Sequence, residues 1–459
     1  MKKTWNILTA ALFWCACQSS PHSSEVRDTL PPSPPSPPPT LPSPDSYWTD
    51  LARVLAGLNP TDTIFWKDAL QDTAWRSYAK KIESLWQTRK KYLYDSLSQW
   101  AARELEPYYT WKGRVFYPFS GADWSTIYYI YPKGEKYFFF GLEQEGDPHI
   151  LRRLTPREIT QSLQGPYGAL SDLLRLSFFK TKEMQEQLAR GKVRGLLPVF
   201  LALFARTGYA IYEVNHIYLK EGGIIDTLSG SKPKPPQSAW DNPITGLQFK
   251  IGLPGEPLQE VVYLSLNAAN KGLEHQTGSF DLFNRLLPCV TFIKSASYLL
   301  FSPEFSKIRR VILTQSVAIL QEDSGIPYRF FDSTAWKVQL YGVYTQPIPL
   351  FRAKYQKDLW QAYRRYPVKQ LPFTIGYHII PGTSNLLWAT RRDPSAVLPP
   401  LPEEVRAAES PPSLFLPPFP ISFDTMAPLL PDTTSQPSPP DTAAQDTVPS
   451  IAVPSDDSE

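Results

Sequence analysis

The sequence predicts a mixed α/β (α+β) fold: a mixed sheet with surrounding helices, an N-terminal helical segment, and disordered, proline-rich tails. Apolar residues in the first third of the chain recur at three- and four-residue steps, as on one face of a helix. Later apolar runs are short and bounded by glycine and proline, which is typical of strands. Prolines crowd both ends of the 459-residue chain, whereas its middle is rich in aromatic residues.

The chain begins with the plan of a secretion signal over residues 1–16. Two lysines form a positive start, and the apolar run 5–14 is shorter than the roughly 20 residues that a membrane-spanning helix needs. The sequence Ala16-Cys17-Gln18-Ser19-Ser20 resembles the lipobox of bacterial lipoproteins. That resemblance implies that the Cys17 thiol takes a diacylglyceryl group and that cleavage frees its amine for a further acyl chain. A signal without lipid attachment is the alternative.

Lipidation at Cys17 predicts a membrane-anchored lipoprotein of the bacterial cell envelope. Each buried methylene adds about 0.8 kcal/mol of membrane affinity, so two or three acyl chains anchor a protein stably. Gln18 stands where inner-membrane lipoproteins typically have Asp, which favours the outer membrane. The expected partners are the membrane and a further envelope protein. Dispersed lysines and the lack of a recognised binding module argue against nucleic acid as a partner.

Both tails have compositions that do not form a packed core. Residues 17–46 are the lipidated N-terminus and a proline-rich linker, interpreted as an extended spacer, with a PxxP ligand for an SH3-like partner as the alternative. Residues 394–459 are a second proline-rich tail, in which eight acidic residues and no lysine or arginine follow Arg406. This composition predicts disorder. The apolar patch 414–423 within it is interpreted as a strap on the domain or a docking motif.

Residues 47–393 are predicted to form a single globular domain. A long amphipathic helix is expected over 75–100, and further helices over 122–131, 170–179, 193–205, 280–301 with a possible break at Pro288, 303–321 and 355–366. Strands are expected over 114–119, 136–142, 209–219, 247–251, 260–266, 328–331, 336–344 and 373–380. The strand-helix-strand order over 114–142 indicates a βαβ unit with two parallel strands.

Three motifs of the domain resemble a group of uncharacterised exported bacterial proteins. The motifs are Tyr117-Pro118-Phe119-Ser120-Gly121-Ala122-Asp123, Phe140-Gly141-Leu142-Glu143 and Ile319-Leu320-Gln321-Glu322-Asp323-Ser324-Gly325-Ile326-Pro327-Tyr328-Arg329-Phe330-Phe331. The resemblance covers most of residues 110–390. It supports the domain limits and implies no activity.

Ser120, Asp123 and Glu143 are candidates for a catalytic or binding site. The first two lie in a turn after a strand, and Glu143 ends the next strand about 20 residues on, as in nucleotide-binding βαβ units. The second and third glycines of the dinucleotide fingerprint are missing, so a tight turn that caps the following helix is the preferred interpretation. A serine nucleophile would need a histidine base, and the G-x-S-x-G motif is absent.

The segment 321–329 contains a second set of candidates. A helix is expected to end there, because Gly325 suits the position after a helix and Pro327 prevents continuation. The ligand-pocket candidates are Asp323, Ser324, Tyr328 and Arg329. The preferred alternative is a buried Asp323–Arg329 pair that fixes the turn.

The sequence predicts no metal site and no cofactor. Glu145, Asp147 and His149 share one loop, but their spacing matches no pattern for a specific metal. Cys289 lies in an apolar run and is predicted to be a buried packing residue. The predicted function is therefore a non-enzymatic binding or assembly component at the membrane surface. A lipoprotein hydrolase acting on an envelope polymer or glycan is the alternative.

Replacing Cys17 tests the predicted anchor. We expect Cys17→Ala to abolish incorporation of labelled fatty acid and to release the protein from the membrane fraction, because the thiol that carries the lipid is gone. Cys15→Ala is the matched control and should still be labelled, since the bulky Trp14 precedes Cys15. Equal labelling of the Cys17→Ala variant and the wild type would contradict the assignment.

Overall fold

An eleven-stranded mixed sheet organises the residues that the computed structural model describes, which are 42–176, 186–189, 191–228, 244–276 and 278–395. The predicted fold class is confirmed. The strands, in chain order, are β1 (Arg114–Tyr117), β2 (Lys136–Gly141), β3 (Ala210–Lys220), β4 (Ile224–Thr227), β5 (Thr245–Gly252), β6 (Gln259–Ser265), β7 (Cys289–Ile293), β8 (Ser316–Gln321), β9 (Trp336–Gly342), β10 (Val368–Lys369) and β11 (Asn385–Arg391). The predicted signal, Cys17, most of the linker and the acidic tail with its apolar patch lie outside the described residues.

The sheet has a parallel centre and mostly antiparallel flanks. Its strand order is β10-β9-β11-β8-β7-β1-β2-β6-β5-β3-β4. The five strands from β8 to β6 are parallel to one another. On one side β11 is antiparallel to both of its neighbours, and on the other side β5, β3 and β4 continue the sheet in antiparallel fashion.

Helices cover both faces of the sheet. They are α1 (Ser46–Leu55), α2 (Lys67–Gln71), α3 (Thr73–Arg89), α4 (Asp95–Glu104), α5 (Trp124–Ile130), α6 (Pro148–Arg153), α7 (Pro156–Thr160), α8 (Gln164–Leu176), α9 (Leu197–Arg206), α10 (Asn270–His275), α11 (Ser279–Asn284), α12 (Ser306–Gln315) and α13 (Lys357–Arg365). A π-helical turn, Lys90–Tyr94, joins α3 to α4. Short 3-10 helices occupy Tyr108–Thr110, Glu221–Gly223, Leu299–Phe301, Pro303–Phe305, Tyr328–Phe330 and Pro349–Lys354.

The central strands are buried on both faces, because alternate side chains of a strand point in opposite directions. In β1, Val115 and Tyr117 belong to a core formed with the helices from α1 to α9, whereas Phe116 belongs to a core formed with α10 to α13. Every residue of β7 and β8 is buried. Only the ends of these strands are therefore available for polar chemistry.

Several predicted elements are confirmed. Strands β1 and β2 are parallel neighbours joined through α5, as the βαβ prediction required. Strands β5 and β6 pair antiparallel, and β3 occupies the predicted strand at 209–219. The long amphipathic helix is present as α3, the π-helical turn and α4.

Two predicted long helices are wrong, because each contains a central strand. The predicted helix at 280–301 comprises the short α11 followed by β7, and the predicted helix at 303–321 comprises α12 followed by β8. Both strands are short apolar runs buried on two faces, and periodicity alone does not separate such runs from buried helices. In β7 the preceding Pro288 and the β-branched residues Val290, Thr291 and Ile293 favour a strand.

Two predicted strands are also wrong. Residues 328–331 form a 3-10 turn after Pro327, and 373–380 is a loop with one isolated bridge between Ile375 and His378. The last strand, β11, was not predicted. Within the described residues, no helix has both the length and the apolar composition of a membrane span.

Trp124 tests the packing that positions α5 over the sheet. It is fully buried, donates from its indole to the Thr207 hydroxyl at 2.9 Å, and contacts Tyr137 and Phe204 with ring centroids 4.9 and 5.1 Å away. We expect Trp124→Ala to lower the free energy of unfolding by about 3–5 kcal/mol in denaturant titrations. The half-buried Trp111 is the control, and an equal loss for Trp111→Ala would contradict this ranking.

Candidate functional site

A cavity of about 180 Å³ lies at the carboxyl ends of the central parallel strands. β1 lies in the middle of the parallel strands, with β2 and β6 on one side and β7 and β8 on the other. The spatial order β6-β2-β1-β7-β8 is therefore third-second-first-fourth-fifth when the parallel strands are numbered along the chain. Loops that leave β1 and β7 therefore diverge, and such a switch point is where open α/β sheets bind ligands. We call this cavity the switch-point pocket; its lining includes Tyr117, Phe119, Ser120, Gly121, Asp123, Phe140, Gly141, Leu142, Glu143, Leu266, Asn267, Ala268, Lys294, Ser295, Ala296, Ser297, Leu299 and Phe305.

The turn after β1 forms one wall of the pocket. Gly121 has φ of 53°, and the Ser120 hydroxyl donates to the Tyr117 carbonyl at 2.6 Å. The Asp123 carboxylate caps α5 by accepting from the Thr126 backbone N–H at 3.3 Å. This is the tight, helix-capping turn that the sequence predicted, and it lies directly in the pocket.

Glu143 reaches the same wall from the end of β2. Its side chain is only 4% exposed, and its main-chain carbonyl accepts from the Tyr263 hydroxyl at 2.7 Å. The carboxylate lies over Gly141, since a Cβ atom built at Gly141 would overlap Oε2 and would come within 3.5 Å of the Gly121 Cα. The lack of a side chain at Gly141 thus leaves space for this carboxylate at the end of β2.

A buried ion pair forms the floor of the pocket. The Lys294 ammonium at the end of β7 donates to Asp123 Oδ2 at 2.5 Å, and both side chains are 2% exposed. The Tyr117 hydroxyl donates to the same oxygen at 2.8 Å. Burial lowers the pKa of Lys294, and the adjacent Asp123 charge opposes that shift. The pair links the turn after β1 to the loop after β7.

Strained backbone concentrates at this pocket. Within the described residues, the non-glycine residues with positive φ are Phe119 (59°), Ser295 (52°), Ser297 (51°) and Tyr298 (54°). The first three line the pocket, and Tyr298 follows directly. A non-glycine residue in this region costs on the order of 1–3 kcal/mol and persists only where the surrounding structure fixes it.

The segment 322–324 after β8 holds the strained loop in place. The Ser295 backbone N–H donates to Glu322 Oε1 at 2.8 Å, and the Ala296 N–H donates to the Ser324 hydroxyl at 2.9 Å. The Tyr298 hydroxyl donates to Asp323 Oδ2 at 2.5 Å. The loop conformation therefore depends on side chains from the next strand.

Glu322, Asp323 and His378 form a buried cluster behind that loop. Asp323 Oδ1 is 2.9 Å from His378 Nε2 and accepts from the Asn385 amide at 3.0 Å. Potential metal-ligand atoms of Glu322, Asp323 and His378 lie within 4.8 Å of one another. Both Asp323 oxygens already accept hydrogen bonds. We therefore assign this cluster the role of supporting the loop, and not that of binding a metal ion.

Burial and mutual charge shift the pKa values in this cluster. Burial, followed by the charge of Asp323, raises the pKa of Glu322 to about 8. Burial is the largest single influence and opposes the ionised forms of Asp323 and His378, but their mutual hydrogen bond and charges, together with their other partners, outweigh it. The pKa of Asp323 is therefore lowered and that of His378 raised.

The structure brings one set of predicted site residues together and separates the other. Ser120, Asp123 and Glu143 converge in the switch-point pocket. Asp323 and Tyr328 line a separate cavity of about 10 Å³, which is at the lower limit for a single water. Ser324 supports the strained loop, as described above.

Arg329 lies apart from this set. It is exposed, with its guanidinium 4.9 Å from the Phe330 ring centroid. The buried Asp323–Arg329 pair does not form, since Asp323 Oδ1 faces His378 and Asn385, and Oδ2 faces Tyr298. The sequence prediction missed Lys294 and the strained loop, because it placed helices where β7 and β8 lie. It missed the contact of His378 with Asp323, because it placed a strand at 373–380 where the structure has a loop.

The acidic residues in the loop after β2 make separate contacts and do not form one site. Glu145 Oε1 is 3.0 Å from His216 Nε2, whereas the Asp147 carboxylate caps α6 by accepting from the His149 N–H at 2.8 Å. Cys289 is buried as predicted, and burial raises the pKa of its thiol to about 11.

No family model, curated protein or solved structure matches this chain.

Glu322→Gln tests whether the protonated carboxyl supports the strained loop. Because the folded pKa lies above the ordinary value of 4.5, the folded chain holds an extra proton between about pH 4.5 and 8, and stability falls as pH rises through that window. His378, whose folded pKa is also raised, contributes in the same direction.

We expect Glu322→Gln, which stays neutral, to reduce the loss of stability between pH 5 and 8 by a few kcal/mol at most, since one pKa unit corresponds to about 1.4 kcal/mol. Thermal unfolding at a series of pH values measures this. Glu256→Gln, at an exposed ion pair with Lys133, is the control and should keep the wild-type profile. A Glu322→Gln profile that parallels the wild type would rule out the assigned protonation.

Proposed function

We propose that this chain is a lipid-anchored component of a bacterial cell envelope whose globular domain binds a small polar ligand in the switch-point pocket. The lipobox-like sequence around Cys17 supports the anchor. The pocket supports the binding function. A small-ligand site is a narrower proposal than the non-enzymatic binding or assembly component that the sequence predicts.

The coincidence of backbone strain with the pocket carries the proposal. Phe119, Ser295 and Ser297 come from loops more than 170 residues apart, yet all have positive φ and line one cavity. Strained residues of this kind cluster at ligand-binding sites, where they fix side chains and backbone groups in a required position. Packing alone does not explain why strain from two distant loops meets at one cavity.

Convergent polar groups support the same function. Ser120, Glu143 and Lys294 reach the pocket from three different strand ends, beside an apolar surface formed by Phe119, Leu299 and Phe305. A few fixed polar groups in a largely apolar concavity are typical of small-molecule sites. Their position at the carboxyl ends of parallel strands is where α/β sheets bind ligands.

The hydrolase alternative has less support. The Ser120 hydroxyl donates to the backbone carbonyl of Tyr117. The ring nitrogens of His216 and His378 lie within hydrogen-bonding distance of Glu145 and Asp323, so neither contact places a histidine base on Ser120. A nucleophilic serine needs such a base, and binding without hydrolysis is therefore the function we propose.

Closing the mouth of the pocket tests the proposal. Leu142 lines the pocket and is 57% exposed, so Leu142→Trp adds bulk there with little cost to the core. We expect polar small molecules that stabilise the full chain in thermal-shift measurements to lose that effect in Leu142→Trp. A ligand at 100 times its Kd stabilises by about 2.7 kcal/mol, which is readily measured.

The matched control is Leu287→Trp, because Leu287 is 51% exposed and is not among the pocket-lining residues. It should respond to ligands as the wild type does. The proposal fails if no molecule stabilises the wild-type chain, or if both tryptophan variants respond alike.

A further inference from the structure

We infer that the domain docks on the surface of the phospholipid bilayer through an exposed apolar loop tip formed by Ile64 and Phe65. We call this surface the 64–65 tip. The inference rests on the lipid anchor of the proposed function, and it adds a second, non-covalent contact with the same membrane. It does not involve the switch-point pocket.

The 64–65 tip stands out by its exposure. Ile64 is 87% exposed, the largest value among the large apolar side chains in the described part of the chain, and the adjacent Phe65 is 49% exposed. Single exposed apolar residues are common, whereas contiguous ones mark interaction surfaces. Trp66, which follows, is buried and contacts the Phe65 ring edge-on, with the centroids 5.3 Å apart. The loop therefore places one aromatic ring in the core and presents two apolar side chains to solvent.

Hydrogen bonds hold the tip in this conformation. The buried Asp50 carboxylate in α1 accepts from the Thr61 N–H at 2.6 Å, the Thr61 hydroxyl at 2.7 Å and the Asp62 N–H at 2.8 Å. Asp62 Oδ1 in turn accepts from the Ile64 N–H at 3.1 Å and the Phe65 N–H at 2.9 Å. A loop held in this way keeps its apolar side chains in water while the domain is free. It also loses little conformational entropy when it docks.

The position of the tip at the tethered end of the domain favours the membrane as its partner. Tyr47, in the first turn of α1, has its ring centroid 6.2 Å from that of Phe65, and the described chain begins at Pro42. The predicted lipid is on Cys17, so the 25 residues 17–41 keep the start of the domain within about 90 Å of the bilayer even at full extension. Because the tip adjoins the point where the tether enters, it reaches the bilayer without the tether passing around the domain.

The charge near the tip predicts apolar and not electrostatic binding. Within four positions of the tip, the charged residues are Asp62, Lys67 and Asp68. They sum to one negative charge. Arg152 lies over the Tyr47 ring, 5.3 Å from its centroid, but its guanidinium is paired with Asp45 at 3.0 Å. Docking should therefore need no anionic lipid and should persist at high salt, unlike the binding of a basic surface.

A spin label beside the tip tests the inference on the full, lipidated chain in phosphatidylcholine vesicles. Thr63→Cys in a Cys15→Ala background provides the site, because Cys17 carries the predicted lipid and Cys289 is buried. We expect this label to be accessible to oxygen and shielded from a water-soluble nickel complex, as at a bilayer interface. A label at Lys271→Cys is the control and should stay in water, since α10 packs on the opposite face of the sheet from α1.

Replacing the apolar side chains connects docking to the tip. We expect Ile64→Ser/Phe65→Ser, with the Thr63 label, to lower the ratio of docked to free domain at least tenfold, because two large side chains no longer leave water. Leu287→Ser is the matched control, since Leu287 is 51% exposed and precedes β7, and it should dock as the wild type does.

The outcomes separate this inference from the proposed function. If the chain incorporates fatty acid but the Thr63 label stays in water, or if the double serine variant docks as the wild type does, the inference is wrong and the anchor stands. Docking that requires anionic lipid or is lost at high salt contradicts apolar insertion. A label shielded in intact envelopes but not on protein-free vesicles would mean that the partner is a protein and not the bilayer. A chain that incorporates no fatty acid refutes the anchor and, with it, this inference.

Discussion

Burial of the central strands on both faces determines where this protein can place polar chemistry. Every residue of β7 and β8 is buried, and the side chains of β1 alternate between two cores. A polar group inside such strands loses water and must find a partner in the core, as the Thr291 and Ser316 hydroxyls do at 2.7 Å. The functional groups are therefore restricted to the carboxyl ends, where the loops leave the sheet. Asp123 and Lys294, 171 residues apart in the chain, meet there because their strands are neighbours.

The switch-point pocket depends on support that passes from strand to strand. The buried Asp123–Lys294 pair joins the loops after β1 and β7, and removing either partner would leave an uncompensated charge in the core, which typically costs about 3–5 kcal/mol. The segment 322–324 after β8 in turn holds the strained loop through side-chain hydrogen bonds. The pocket is thus fixed before any ligand arrives, which reduces the entropy that binding must overcome.

The sequence predicts the part of the pocket that follows β1 and β2, and there is a physical reason for this. The strands around Ser120, Asp123 and Glu143 are separated by a short helix that Pro132 follows, so their order and direction could be inferred from turn residues. Lys294 and the strained loop follow strands whose continuous apolar runs also suit buried helices, and periodicity does not distinguish the two. His378 reaches Asp323 from 55 residues away, through a loop whose turn at Gly376 has φ of 69°. Long-range contacts of this kind leave no local pattern.

Segment 321–329 also shows that local sequence does not predict long-range contacts. Its turn residues mark it as a candidate site, and the structure places it near the pocket, but Asp323 and Ser324 support the neighbouring loop while Arg329 faces solvent. Turn chemistry identifies where a chain reverses. It does not specify which neighbour its side chains will contact, because that depends on the order of the strands in the sheet.

The charge of the pocket reconciles its nucleotide-like position with the predicted export. A strand order of this kind commonly binds dinucleotides through their phosphates, and such cofactors belong to the cytoplasm. Here Lys294 is neutralised by Asp123, and the phosphate-binding glycines are missing, so the usual contribution of the phosphates to affinity is lost. What remains is a concavity in which a buried ion pair fixes the loops after β1 and β7 beside an apolar wall.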